Sequence, residues 1–121
     1  MPLFGTEGTH AGEFIVSEAN GSRSRTTATV TSGQNLAAGA IVATVAGKLV
    51  EYDNGGASGA EVATGILFDA VDASAADVED AVVITRDCEY NLSEVIWEAG
   101  QDQAAQDAGV VDLLAQGLIG L

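Results

Sequence analysis

Along most of this chain, apolar residues come in short alternating or clustered runs of strand length, and only residues 101–116 shift to a helical spacing. Residues 13–17 (EFIVS) are a brief apolar, β-branched run, suited to a strand once it has a partner. Asn20-Gly21-Ser22 is a turn signal, because these residues tolerate positive φ. Residues 23–31 then alternate Thr with Val and Ala, as a half-exposed strand does. A polar loop at 32–35 and a turn at 36–39 lead to two runs, 40–45 and 49–53, which Ala46-Gly47-Lys48 closes into a hairpin. The glycine-rich stretch 54–59 is a loop. Residues 61–71 hold the next strand, 72–80 an Ala/Asp-rich connection, and 81–89 a strand with a continuous apolar centre at Val82, Val83 and Ile84.

The last third changes period. Asn91-Leu92-Ser93-Glu94 has the form of a capping box with Asn at the cap, which predicts a helical turn or two before Glu98-Ala99-Gly100. In residues 101–116, Ala104, Ala105, Ala108, Val111 and Ala115 recur at helical spacing, and Asp102 and Asp107 suit the positive end of the helix dipole. Gly109 weakens that helix by ~1 kcal/mol relative to Ala. Gly117 is a natural stop before a terminal strand at 118–121. The predicted fold is α+β and predominantly β: a compact small domain of short strands over residues 13–121, with one C-terminal helix. Residues 1–12, mixed Gly, Thr and Pro without a period, read as a flexible N-terminal arm.

Composition sharpens this reading. The 121 residues include 21 Ala against 28 Val, Ile and Leu together and only six aromatics, so the apolar fraction is made largely of small side chains. At about 25 cal/mol per Å² they give modest burial, which makes subunit association an expectation. No apolar run approaches the ~20 residues that span a bilayer, and no signal-peptide pattern is expected after Met1. Charge is unevenly placed. Residues 1–48 balance Arg23, Arg25 and Lys48 against Glu7, Glu13 and Glu18, whereas residues 49–121 set Arg86 alone against fifteen Asp and Glu. A net charge of −14 repels nucleic-acid phosphates and anionic membranes, so neither is an expected partner. The acidic excess itself reads as a solubility device.

Candidate chemistry is thin. His10 is the single histidine and sits in the arm, away from any partner a catalytic base would need. With one His and one Cys no conventional zinc shell can be built. Cys88, in a strand context, reads as a small buried hydrophobe. Asp77, Glu79 and Asp80 lack the spacing and glycine of an EF-hand and read as a solvated loop. Asp69 with Asp72, or Glu89 with Glu94, are pairs of the kind that chance supplies among eighteen carboxylates. Gly47-Lys48 is followed by Leu49, so the hydroxyl of a phosphate loop is missing. The Lys48 turn also lacks the residues that flank the modified lysine of lipoyl and biotinyl domains. No enzyme activity, cofactor or metal is expected. Trp97 reads as a core anchor or a subunit-interface residue.

One resemblance covers the chain from about Gly12 onward. The ordered blocks GEFIVSEANGSRSRTTATV, GQNLAAGAIV with GKLVEYD, ATGILFDAVDA and AVVITRDCEYNLSEVIW, followed by an Ala-rich helix, resemble the lambda-type head decoration proteins of tailed bacteriophages. Its most specific parts are Gly65-Ile66-Leu67 and Glu94-Val95-Ile96-Trp97, while Glu98 departs from the proline found there in the lambda-type protein. The resemblance implies a homotrimer on the outer surface of the expanded head, partnered by the major capsid protein. It also implies a virion location, and an arm that orders on the shell. On that expectation Glu13, Phe14, Ile15, Val16 and Ser17 bind the capsid and Trp97 anchors the core or the trimer. The competing expectation is a small β-rich binding module or cofactor-carrier domain, modified at Lys48 or Cys88.

Overall fold

A computed structural model describes residues 10–21 and 23–121. Among them ten strands and one helix follow in order: β1 (Ile15–Glu18), β2 (Arg25–Val30), β3 (Asn35–Leu36), β4 (Ile41–Val45), β5 (Lys48–Glu51), β6 (Ala63–Leu67), β7 (Val71–Asp72), β8 (Val78–Ile84), β9 (Cys88–Tyr90), α1 (Gln103–Ala115) and β10 (Leu118–Gly120). The arm expected over residues 1–12 lies outside the described residues except for His10, Ala11 and Gly12, and so does Ser22 of the predicted turn.

Strands β2, β5, β4, β6 and β8 close in that order into a barrel. The β4–β5 hairpin pairs Val45 with Lys48 across a two-residue turn in which Ala46 and Gly47 both have positive φ, 52° and 81°. That is the turn whose twist matches the flanking strands. Val30, Val42, Leu49, Leu67 and Val83 fill the barrel together with Leu36 and Ala73. Outside it a second sheet, β1-β9-β10, and α1 enclose another core of Phe14, Ile41, Ala43, Ile66, Ile84, Tyr90 and Leu113. Neighbouring residues of one strand therefore enter different cores: Val42 the barrel but Ile41 and Ala43 the outer one, and Val83 the barrel but Ile84 the outer one. A strand buried on both faces reads as a continuous apolar run, which is the pattern at residues 82–84.

Helix α1 starts at Asp102, whose carboxylate accepts a hydrogen bond from the Ala105 amide at 2.9 Å. It ends before Gly117, at φ 88°. The buried positions are Ala105, Gly109 and Leu113, whereas Val111 of the expected apolar stripe is exposed. The reason is Gly109. A Cβ there would sit 2.6 Å from Cζ3 of Trp97 and 3.0 Å from Cε2 of Tyr52, so the glycine is a notch that admits the indole and turns that face inward. Trp97 and Tyr52 meet edge to face at 5.9 Å, and the Tyr52 hydroxyl donates to the Ala105 carbonyl at 2.9 Å.

Four sequence expectations are corrected. The single strand expected over 81–89 is two, β8 in the barrel and β9 in the outer sheet, separated by a bend in which Asp87 has φ 51°. Asn91–Glu94 forms a single turn that Asn91 caps, the Ser93 amide and hydroxyl both donating to its Oδ1 at 3.0 and 2.8 Å, but no helix follows it. The turn does not extend into a helix because the Ile96 amide, which would have to return to the Leu92 carbonyl, donates to the Gly39 carbonyl instead. The polar loop and turn at 32–39 contain β3, which pairs with β7 just after the strand at 63–67. The first apolar run is displaced, since Glu13 and Phe14 lie in a turn and β1 begins at Ile15.

Candidate functional site

The segment expected to contact a partner sits at the edge of the β1-β9-β10 sheet. β1 pairs antiparallel with β9, and its register shifts between Ile15 and Ser17, which leaves Val16 out of the ladder and 53 % exposed. Ser17 points outward and its hydroxyl donates to Glu89 Oε1 at 2.6 Å. Glu13 is exposed and its Oε2 accepts from the His10 amide at 2.6 Å. Ile15 is half-buried against the outer core. Phe14 is different: it is 0 % exposed and packs inside that core. A phenyl ring is the largest apolar group in the run, so burying it gains more than burying either β-branched neighbour. The structure thus brings Glu13, Val16 and Ser17 to the surface and commits Phe14 to the interior.

Just before this strand the chain is rooted on the barrel. The Gly12 amide donates to the Phe68 carbonyl at 3.0 Å, and Gly12 has φ 67°. A Cβ at that position would lie 2.7 Å from Cε1 of Phe68, so only glycine fits. The Arg25 guanidinium lies 4.3 Å over the same ring. It also pairs with Glu18, Nη2 to Oε1 at 2.6 Å and Nε to Oε2 at 3.2 Å, while the Ser24 hydroxyl donates to Oε2. The Arg25 hydrogen bonds hold the Glu18 carboxyl below its usual range against an opposing effect of burial.

A second surface surrounds Trp97. The indole is half-buried, and its outer edge lines a groove with Leu92, Ser93, Gln103, Gln106 and Val110. Of the exposed apolar residues, Val111 and Leu114 lie on α1, Leu92 in the turn before it, Ile119 in β10 and Leu121 just after β10. Sequence reasoning missed this group. The signal that finds it is the Gly109 notch, since fixing the buried face of α1 leaves Val111 and Leu114 outside.

The positions a carrier domain would modify do not fit that use. Cys88 is buried, and burial pushes its thiol up to about 11. Lys48 is tied at 2.6 Å to Asp77, which also accepts from the Ser32 amide at 2.7 Å. Glu79 and Asp80 fall within β8, and no group of three or more His, Cys, Asp or Glu able to hold a metal occurs among the described residues.

No individual curated protein matches the chain. The family model for bacteriophage lambda head decoration protein D matches residues 4–118, nearly the whole length. A β-rich body bearing an edge strand and an apolar groove belongs with that match: the chain is a member of the bacteriophage lambda head decoration protein D family, structural proteins of the outer surface of the phage head.

Proposed function

We propose that the protein decorates the head as a homotrimer, holds the major capsid protein through its N-terminal segment, and cements the shell against the pressure of packaged DNA. The observation that carries this reading is the edge of β1, which pairs with no other strand among the described residues, beside the exposed Val16. An extended segment of a partner can add to such an edge, with backbone hydrogen bonds supplying affinity and alternate side chains supplying selectivity. In this reading residues 1–12 are the arm, rooted at Gly12 on Phe68, and residues 13–121 are the body. Glu13, Val16 and Ser17 meet the capsid directly, Ile15 supports them, and Phe14 acts from inside by fixing where the strand begins. The groove that Trp97 lines with Leu92 and Val110, together with exposed Val111 and Leu114 of the same helix, is the surface assigned to subunit contacts, since an aromatic anchor in an apolar groove is typical of such contacts. Three arms on one trimer act at high effective concentration, which offsets the entropy lost when each arm orders.

The test compares the full chain with a variant lacking residues 1–12 and with Val16→Asp, each mixed with expanded, undecorated capsids. Both variants retain Phe14, so thermal unfolding stays close to that of the full chain. Co-sedimentation is expected to fall about tenfold or more for each. Undiminished binding by both variants would sink the assignment of the N-terminal segment.

A further inference from the structure

Three of the four basic side chains are neutralised within the chain: Arg23 lies 3.7 Å from Asp87, Arg25 2.6 Å from Glu18 and Lys48 2.6 Å from Asp77. Arg86 is the exception among the described residues. Its Nη1 donates to Thr85 Oγ1 at 2.7 Å and to Thr26 Oγ1 at 3.0 Å, and no carboxylate is within ion-pair distance. The two hydroxyls are 3.2 Å apart and hydrogen-bonded to each other. In a chain of eighteen carboxylates and four cations, an exposed arginine held only by neutral groups is unusual. The threonines fix the guanidinium without cancelling its charge. They also leave the donors of Nε and Nη2 as a planar fork that fits a carboxylate.

Thr26 also lines a surface hollow with Arg25, Thr27 and Val82 on the β2–β8 wall. Arg25 links that wall to the arm root through Glu18 and Phe68. We infer that Arg86, steadied by Thr26 and Thr85, is a seat for an acidic side chain of the capsid surface, set beside the root of the N-terminal arm. This rests on the docking reading above. The capsid is the occupant because the hollow adjoins the arm root, whereas the side chains assigned to subunit contacts are Leu92, Trp97 and those carried by α1. Charge complementarity at this one point orients an otherwise repelling acidic body as it lands.

The experiment titrates the full chain and its Arg86→Gln, Arg86→Lys and Arg86→Glu variants onto expanded, undecorated capsids at low and high salt. Unfolding temperature and the mass of the free protein are followed in parallel. Arg86→Gln is expected to weaken binding about tenfold, Arg86→Glu more, and Arg86→Lys less than either. The deficit of Arg86→Gln narrows as salt rises, while unfolding temperature and mass stay unchanged. Wild-type affinity in Arg86→Gln overturns the inference. So does a drop in oligomer mass or unfolding temperature in place of a capsid defect, which assigns the side chain to a neighbouring copy or to the fold. A wild-type chain that itself fails to bind overturns the docking reading, and this seat with it.

Discussion

At the scale of single residues, the tie between Glu18 and Arg25 joins the strand that carries the arm to the wall of the barrel. The Arg25 hydrogen bonds, with a smaller contribution from Ser24, keep the Glu18 carboxyl below its usual range. A carboxyl whose pKa is lower folded than unfolded adds stability above the unfolded value near 4.5, and loses it as pH falls through the folded value. Glu51 has the opposite sign. Burial, and then the nearby Glu98, raise its pKa, so its ionisation opposes folding at neutral pH and that cost disappears on acidification. Comparing wild type with Glu18→Gln isolates the first effect. The variant is expected to be less stable by about 1 kcal/mol at pH 7, a figure suited to a partly exposed charged hydrogen bond. In denaturant titrations the gap should shrink as pH falls from 4.5 through the lowered folded value, and a gap independent of pH would mean that the tie adds nothing through its charge.

At the scale of elements, α1 shows local preference yielding to packing. Propensity alone makes Gly109→Ala stabilising by ~1 kcal/mol in a helix interior. The added methyl would meet the Trp97 ring at 2.6 Å and Tyr52 at 3.0 Å, and a ring seated between a helix and a core has little room to retreat. Overpacking of this kind costs about 1–3 kcal/mol or more, so a net loss of about 1–2 kcal/mol is expected. Chemical unfolding measures that loss, and a shift in tryptophan emission reports the displaced indole. A more stable variant with unchanged emission would mean that the notch is not needed. The hairpin of β4 and β5 shows the reverse case, in which turn chemistry and packing agree. Gly47 supplies one of the two positive-φ positions, and the flanking apolar residues supply both faces of the pair.

For the whole molecule, charge and association act against each other. Each chain carries −14, so the proposed association through apolar side chains near Trp97 would have to overcome mutual repulsion. Salt screens that repulsion over a Debye length of about 10 Å at 0.1 M and leaves apolar burial largely intact. Sedimentation at fixed protein concentration is therefore expected to show tighter self-association on going from about 0.02 M to about 0.3 M salt. Association that weakens over this range would show that ion pairs between subunits, and not apolar contacts, hold the assembly.

Although β3, β7 and the break between β8 and β9 were not, the other strands, the 46–47 turn, the helix over 101–116 with its stop at Gly117 and the family resemblance were legible in the sequence. Each rests on neighbours within a few residues, or on ordered blocks that survive without a structure. The turn at Asn91 stops short of the expected helix because a capping pattern is local, whereas the carbonyl that takes the Ile96 amide comes from the distant Gly39. Only the tertiary structure placed Phe14 inside and Val16 outside, exposed the far face of α1, and left Arg86 without a carboxylate among the described residues. Those outcomes depend on distances between strands far apart in the chain: periodicity states that a residue has a face, and packing decides what that face meets.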